Sequence, residues 1–167
     1  MPRLLISDAN ILIDMECGGL LDRMFAVDYE FAVLDVLFEE ELAAEHPDLP
    51  AKGLRVLGLT DVGVTHAAEL IKNQSKSGIS RIDLLAMALA IQESCPLLTG
   101  DRRLRELCDE LGHEVRGTLW LVGAMHESRL LTHAQAVAAY DAMKAQGRRL
   151  PWNEIATQLR HMRHRYS

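Results

Sequence analysis

The chain has 167 residues, 49% of them apolar, which suits a single packed domain with at most a small appendage and argues against disorder. Its formal net charge of −6 makes it a poor generic nucleic-acid binder. No stretch nears the roughly 20 apolar residues of a membrane span, and the start Met1-Pro2-Arg3 lacks a signal-peptide pattern, so the expectation is a cytoplasmic protein with no membrane partner.

In chain order, residues 3–8 read as a buried strand ending in Asp8. Asp8-Ala9-Asn10 has turn and helix-cap chemistry, and a helix starts at Ile11. Gly18-Gly19 breaks it, and 20–25 forms a further helical turn. Phe31–Leu34 reads as a short strand. Asp35 is a candidate N-cap for a helix to about Ala44, ended by His46-Pro47. Leu54–Leu59 alternates like a strand, and Thr65–Asn73 looks helical. Ser80 is a candidate cap for a strongly apolar helix over 81–93. Leu97–Thr99 is a strand running into Gly100-Asp101. Arg102–Leu111 is a helix closed by Gly112, and 114–115 is a last short strand. Strands alternating with helices argue for an α/β fold, a three-layer domain with a central parallel sheet, over residues 1–118. Residues 119–167 read as helices only (119–128, 133–146 and 152–164), a helical C-terminal extension packed on or beside that domain.

The chemistry lies in the acids. Asp8 and Asp101 each end an apolar strand, and the C-terminal edge of a parallel sheet is where such folds bind ligands. Two carboxylates meeting there suggest a hard cation, Mg²⁺ or Mn²⁺, held through oxygen, and with it phosphate chemistry. Asp83 stands near the start of a helix apolar nearly all round. It is either a helix cap favoured by the macrodipole or a charge that needs a partner or metal. Glu39, Glu40 and Glu41 point about 100° apart on a helix, so only one or two can face a site.

Charge is uneven. Residues 1–60 hold twelve acids against four bases, whereas five arginines and one acid, Glu154, follow Gln146. That basic tail is either a local nucleic-acid patch or a solvated helix end. Cys17, Cys95 and Cys108 make no CxxC pair and read as small apolar residues rather than a disulfide or zinc framework. There is no Walker A loop, G-x-S-x-G or HExxH. Asn10 stands where a haloacid-dehalogenase-type phosphatase needs its second acid. His161 and His164 read as a solvent-facing pair, and Trp120 and Trp152 as core or interface anchors rather than base-stacking platforms. Leu119, Leu121, Val122, Met125, Leu130 and Leu131 are either core or an interface groove.

Taken together, Leu-Ile-Ser-Asp-Ala-Asn at Asp8, an acid of the Val36–Leu42 helix, Ile-Asp-Leu-Leu-Ala-Met-Ala at Asp83 and Leu-Leu-Thr-Gly-Asp at Asp101 resemble, in order and context, the PIN-domain nucleases. The resemblance covers residues 4–115, about two-thirds of the chain. It implies a metal-dependent endoribonuclease with RNA as substrate and Asp8, Asp83 and Asp101 as catalytic metal ligands. The family glutamate typically follows a branched apolar residue by three positions. Leu37 then points to Glu40, and Val36 to Glu39; Glu40 is taken as the fourth ligand. Asn10 and Thr99 fall where the family often has small polar supporting groups. Many bacterial members are VapC-like toxins, which adds a cognate antitoxin and a homodimer to the implied partners. The long helical tail resembles a subgroup of prokaryotic PIN-like proteins more than compact toxins. A PIN-like module that binds RNA or protein without cutting is the alternative.

Overall fold

The computed structural model describes residues 3–165; the Met1-Pro2 start lies outside them. Five parallel strands form the sheet: β1 (Arg3–Ser7), β2 (Tyr29–Leu34), β3 (Arg55–Leu57), β4 (Leu97–Leu98) and β5 (Val115–Arg116). Their order is β3-β2-β1-β4-β5. The chain lays β2 and β3 to one side of β1, then crosses to lay β4 and β5 on the other. The direction of winding therefore reverses between β1 and β4. The C-terminal crevice at such a reversal is the natural ligand position of an open α/β sheet. Ile6 pairs with Leu97 and Ser7 with Leu98, so both strands end level and deliver Asp8 and Asp101 to that crevice.

The connecting segments are helical: α1 (Ala9–Cys17), α2 (Leu21–Met24), α3 (Asp35–Leu37), α4 (Leu49–Lys52), α5 (Asp61–Asn73), α6 (Arg81–Gln92) and α7 (Arg102–Glu110). Their starts follow the capping chemistry of the sequence. Asp8, Thr60, Ser80 and Asp101 each accept a hydrogen bond from a first-turn amide of α1, α5, α6 and α7 respectively. Asp35 departs from expectation. Leu34 is the cap residue, and the Asp35 carboxylate accepts from the Val36 amide beside it. After α3 the chain widens into a single π-helical turn over Phe38–Leu42, closed by Ala43 N–H donating to Phe38 C=O at 2.7 Å. The four-residue α4 lies where no helix was expected.

Helices α8 (Thr118–Glu127), α9 (His133–Ala145) and α10 (Trp152–Arg163) follow β5. Leu121, Val122, Met125, Leu131, Ala139, Tyr140, Met143, Ile155 and Met162 are buried in one hydrophobic cluster with Leu5, Ile11, Met15 and Phe31. Of the alternatives for this segment, core is therefore the role of Leu121, Val122, Met125 and Leu131. Gly18 admits α9: a Cβ there would stand 2.6 Å from Met143 Cε. An ion pair between half-buried Arg148 and buried Asp14 adds direction to this contact. Asp14 on α1 is 4% exposed, accepts from Arg148 Nε at 2.6 Å and accepts from Thr118 Oγ1 at 2.8 Å. Arg148 also donates to Asn10 Oδ1 at 3.2 Å. The α9–α10 turn is thus tied to the helix that Asp8 caps. Among the described residues no helix is long and apolar enough to cross a membrane.

Candidate metal centre

The crevice between β1 and β4 collects carboxylates from four elements. Asp8 is 2% exposed, and both its oxygens are engaged. Oδ1 accepts from Ile11 N–H at 2.9 Å, and Oδ2 accepts from the Thr99 hydroxyl at 2.5 Å. Burial pushes its pKa up to about 7; the bonds from Thr99 and Ile11 oppose that rise, and the charge of Asp83 adds to it. Asp101 caps α7 through the Leu104 amide at 2.8 Å, and its own N–H donates to Thr99 Oγ1 at 3.1 Å. One hydroxyl thus holds both strand-end acids. Of Asn10 and Thr99, expected as small polar supports, Thr99 bonds the two strand-end acids, whereas Asn10 accepts from Arg148 instead.

Asp83 sits half-buried in the first turn of α6, its amide donating to Ser80 Oγ. Burial raises its pKa, the Ser80 bond lowers it, and the charge of Asp101 raises it again. Asp83 in turn bears on Asp8 and on Glu41. It is the member of the cluster electrostatically linked to all the others, so capping and site are not exclusive roles here.

Among the three glutamates, Glu41 feels the charge of Asp83. Its pKa is raised by burial first, then by Asp83, then by Glu40. Glu40, the expected ligand, and Glu41 are both exposed, and Glu40 bears on Glu41. A π-turn takes about one residue more than a turn of regular α-helix. Phe38 and Leu42 both stay buried on it. Nothing in the residue pattern marks the extra residue.

All donors in this set are carboxylate oxygens, a chemistry that suits Mg²⁺ or Mn²⁺ rather than a thiolate- or imidazole-seeking ion. Mutual repulsion and burial raise three of the carboxyls, and a divalent cation relieves both. The residues thus fit a hard cation. As the side chains stand, no group of three His, Cys, Asp or Glu among the described residues is drawn close enough to hold an ion, so loading requires them to converge.

Two cavities flank these elements. A cleft of about 280 Å³ adjoins the acidic crevice through Gly100, between the β4 and β5 ends and the approach to α10. A larger one, about 550 Å³, lies between α8 and α10 beside Tyr29, and none of Asp8, Glu41, Asp83 and Asp101 lines it. Trp120 there stacks edge-to-face with Tyr29 at 5.3 Å, and Lys144 lies over the Trp152 ring at 5.4 Å. His161 and His164 are exposed on the last helix. Cys95 and Cys108 are buried, Cys17 half-buried, and all three are unbridged.

An open parallel sheet with acids at its winding reversal defines an α/β protein with an acidic crevice. The chain belongs to the PIN-domain family, whose profile matches residues 4–164 and so takes in α8, α9 and α10 as well as the sheet. Among solved structures it is similar to PAE2754 from Pyrobaculum aerophilum, at 16% identity over 74% of this chain and 90% of that one, with a TM-score of 0.50. It is also similar to a chain of VapBC2 from Rickettsia felis, solved bound to a DNA fragment from its promoter, at 14% identity over 69% of this chain and 98% of that one, TM-score 0.49. These likenesses concern the fold. No curated protein matches the chain in sequence.

Proposed function

We propose that the protein is a Mg²⁺- or Mn²⁺-dependent endoribonuclease that hydrolyses RNA phosphodiester bonds. The observation that carries this is the electrostatic link of Asp83 with Asp8, Asp101 and Glu41 at one sheet-edge crevice in a PIN-domain chain. In this reading Asp8, Asp83 and Asp101 hold the ion, directly or through water, and Thr99 keeps Asp8 and Asp101 in register. Glu41, with Glu40 beside it, holds the ion or orients the attacking water. The bound ion supplies a water of lowered pKa and charge stabilisation at the scissile phosphate. Water oxygen bonds to phosphorus, the 3′-oxygen leaves with a proton, and the products are a 5′-phosphate and a 3′-hydroxyl.

The family likeness extends this reading to a cytoplasmic toxin with a cognate antitoxin and a homodimeric state. Co-purification with the product of an adjacent small reading frame, together with the mass of the complex in solution, tests that extension.

A second reading is a PIN-fold protein that binds RNA or protein without cutting. The spacing of the carboxylates, too wide for three to share an ion as they stand, favours it. Calorimetric Mn²⁺ titration of the wild type beside Asp8→Asn/Asp101→Asn, followed by cleavage of structured RNAs and matched DNAs, separates the two. Mn²⁺-dependent RNA cleavage lost in the double variant supports the nuclease. Cleavage that survives Asp8→Asn or Asp101→Asn removes the assignment, and the absence of Mn²⁺ binding with RNA present moves the conclusion to the second reading.

A further inference from the structure

The cleft beside the acidic crevice has a composition opposite to its neighbour. Its walls bring together Arg105 of α7, Arg116 of β5 and Arg149 of the α9–α10 turn, with Glu154 as the acid among them. Arg116 is engaged, donating to Glu114 Oε1 at 3.0 Å and to Val115 C=O. Arg105 and Arg149 are exposed and make no side-chain hydrogen bond or ion pair among the described residues. In a chain of net charge −6, two unpaired arginines across one cleft are unusual company.

The backbone seats both. Gly117 lies beneath Arg105: a Cβ there would stand 2.7 Å from Arg105 Nη1 and 3.5 Å from the Thr99 carbonyl oxygen. Glycine at that position lets the guanidinium lie against the β5 end, next to the strand that carries Thr99 and Asp101. Arg105 also follows Asp101 by one helical turn, its N–H donating to Asp101 C=O at 3.0 Å, which is about 6 Å along the helix. On the opposite wall, Arg149 is positioned by its neighbour Arg148, which is fastened to buried Asp14. The acidic crevice and the basic cleft therefore share the Gly100 rim.

We propose that this cleft is a phosphate-binding subsite for the RNA strand, in which Arg105 and Arg149 grip a phosphodiester adjoining the one presented to the carboxylates. The subsite rests on the ribonuclease reading for the identity of the strand, and it supplies what that reading lacks. Four carboxylates repel a polyanion, and guanidinium groups at their rim offset that repulsion while setting which way the backbone runs across the crevice. Guanidinium suits the task through its planar, always-charged fork.

The test is binding measured apart from cutting. An Asp8→Asn/Asp83→Asn background keeps the strand intact and removes two repelling charges, while the amide introduced by Asp8→Asn retains an oxygen to cap α1. Fluorescence anisotropy with a labelled 12-nucleotide single-stranded RNA would compare this background with the same protein carrying Arg105→Ala/Arg149→Ala. Arg160→Ala/Arg163→Ala, an equal charge change on exposed α10, is the control. The expected result is an affinity loss of about tenfold or more in the cleft variant only, with the slope of log affinity against log salt shallower by about 0.7, one phosphate on a single strand. Equal binding by the cleft variant and its background, an equal loss in the control, or no binding by the background overturns the subsite. Cleavage by wild-type protein with Mn²⁺ is scored in parallel. A cleft-dependent affinity without cleavage keeps the subsite and removes the nuclease reading, and cleavage with cleft-independent affinity does the reverse.

Discussion

The Thr99 hydroxyl donates to Asp8 Oδ2 at 2.5 Å and accepts the Asp101 N–H at 3.1 Å, so a single side chain couples the ends of β1 and β4 across the winding reversal. Its one proton is committed to Asp8, and its lone pair to the turn that presents Asp101. The carboxyl of Asp8 is thereby aimed, and its charged form is favoured against the cost of burial.

Thr99→Val keeps the shape and removes both bonds. It leaves Asp8 Oδ2 buried without a donor and the Asp101 amide without an acceptor. A stability loss of about 1–3 kcal/mol is expected in urea unfolding. Mn²⁺ affinity should fall ~10–100-fold, as is usual when a group orienting a ligand is lost. Thr99→Ser restores most of both. Calorimetry showing equal Mn²⁺ affinity in Thr99→Val would remove Thr99 from the metal centre.

Asp8 makes the metal-free protein sensitive to pH. Burial raises its pKa from 3.8 to about 7, so between these values the folded chain keeps a proton that the unfolded chain has released. Stability contributed by that proton is complete below about pH 4 and is lost as pH rises toward 7, by at most roughly 4 kcal/mol. Asp83 and Glu41, also raised, act in the same direction. Mn²⁺ binds the ionised carboxylates, so its stabilising effect grows over the same interval. Urea unfolding at pH 5 and 7.5, with Mn²⁺ or with chelator, measures both. A chelated protein equally stable at the two pH values contradicts the buried, proton-holding Asp8.

The π-turn makes a prediction about neighbours in sequence. Glu41→Gln removes the carboxylate that feels Asp83 and should weaken Mn²⁺ binding by about tenfold, whereas Glu40→Gln should change it much less. Isothermal titration of the two variants decides between them; a larger loss in Glu40→Gln would return the role to Glu40.

Arg148→Ala would leave Asp14 buried with only Thr118 as partner. Removing one member of a buried pair costs about 3 kcal/mol. For a chain of this length that is a drop of roughly 6–12 °C in Tm. Asp14→Asn/Arg148→Met, which removes both charges, should recover part of it. Calorimetric scans that show Arg148→Ala unchanged would mean that this pair does not bind the α9–α10 turn to α1.

Much of this was legible in the residues. Apolar runs ending in Asp8 and Asp101 announce parallel strands that terminate at helix caps, because an aspartate at such a point both stops the strand and satisfies the next helix's free amides. Ser80 and the apolar helix after it read correctly for the same reason: capping is local chemistry between residues three apart. The alternation of short strands and helices was sufficient for the three-layer sheet with its helical extension. The positions of Asp8, Asp83 and Asp101 at strand ends and in a first helical turn follow from this local grammar.

What only the tertiary structure decided depends on phase and on contacts far apart in the chain. The π-turn over Phe38–Leu42 buries both Phe38 and Leu42, and no periodicity of the sequence encodes its extra residue. The Asp14–Arg148 pair joins residues 134 positions apart, and each alone looks like an ordinary surface charge. Arg105, Arg116 and Arg149 come from three elements, and only the β5 end, Gly117 and the α9–α10 turn make them one cleft. Local hydrogen bonding determines where elements begin and end. Which side chains face one another is set by how those elements pack.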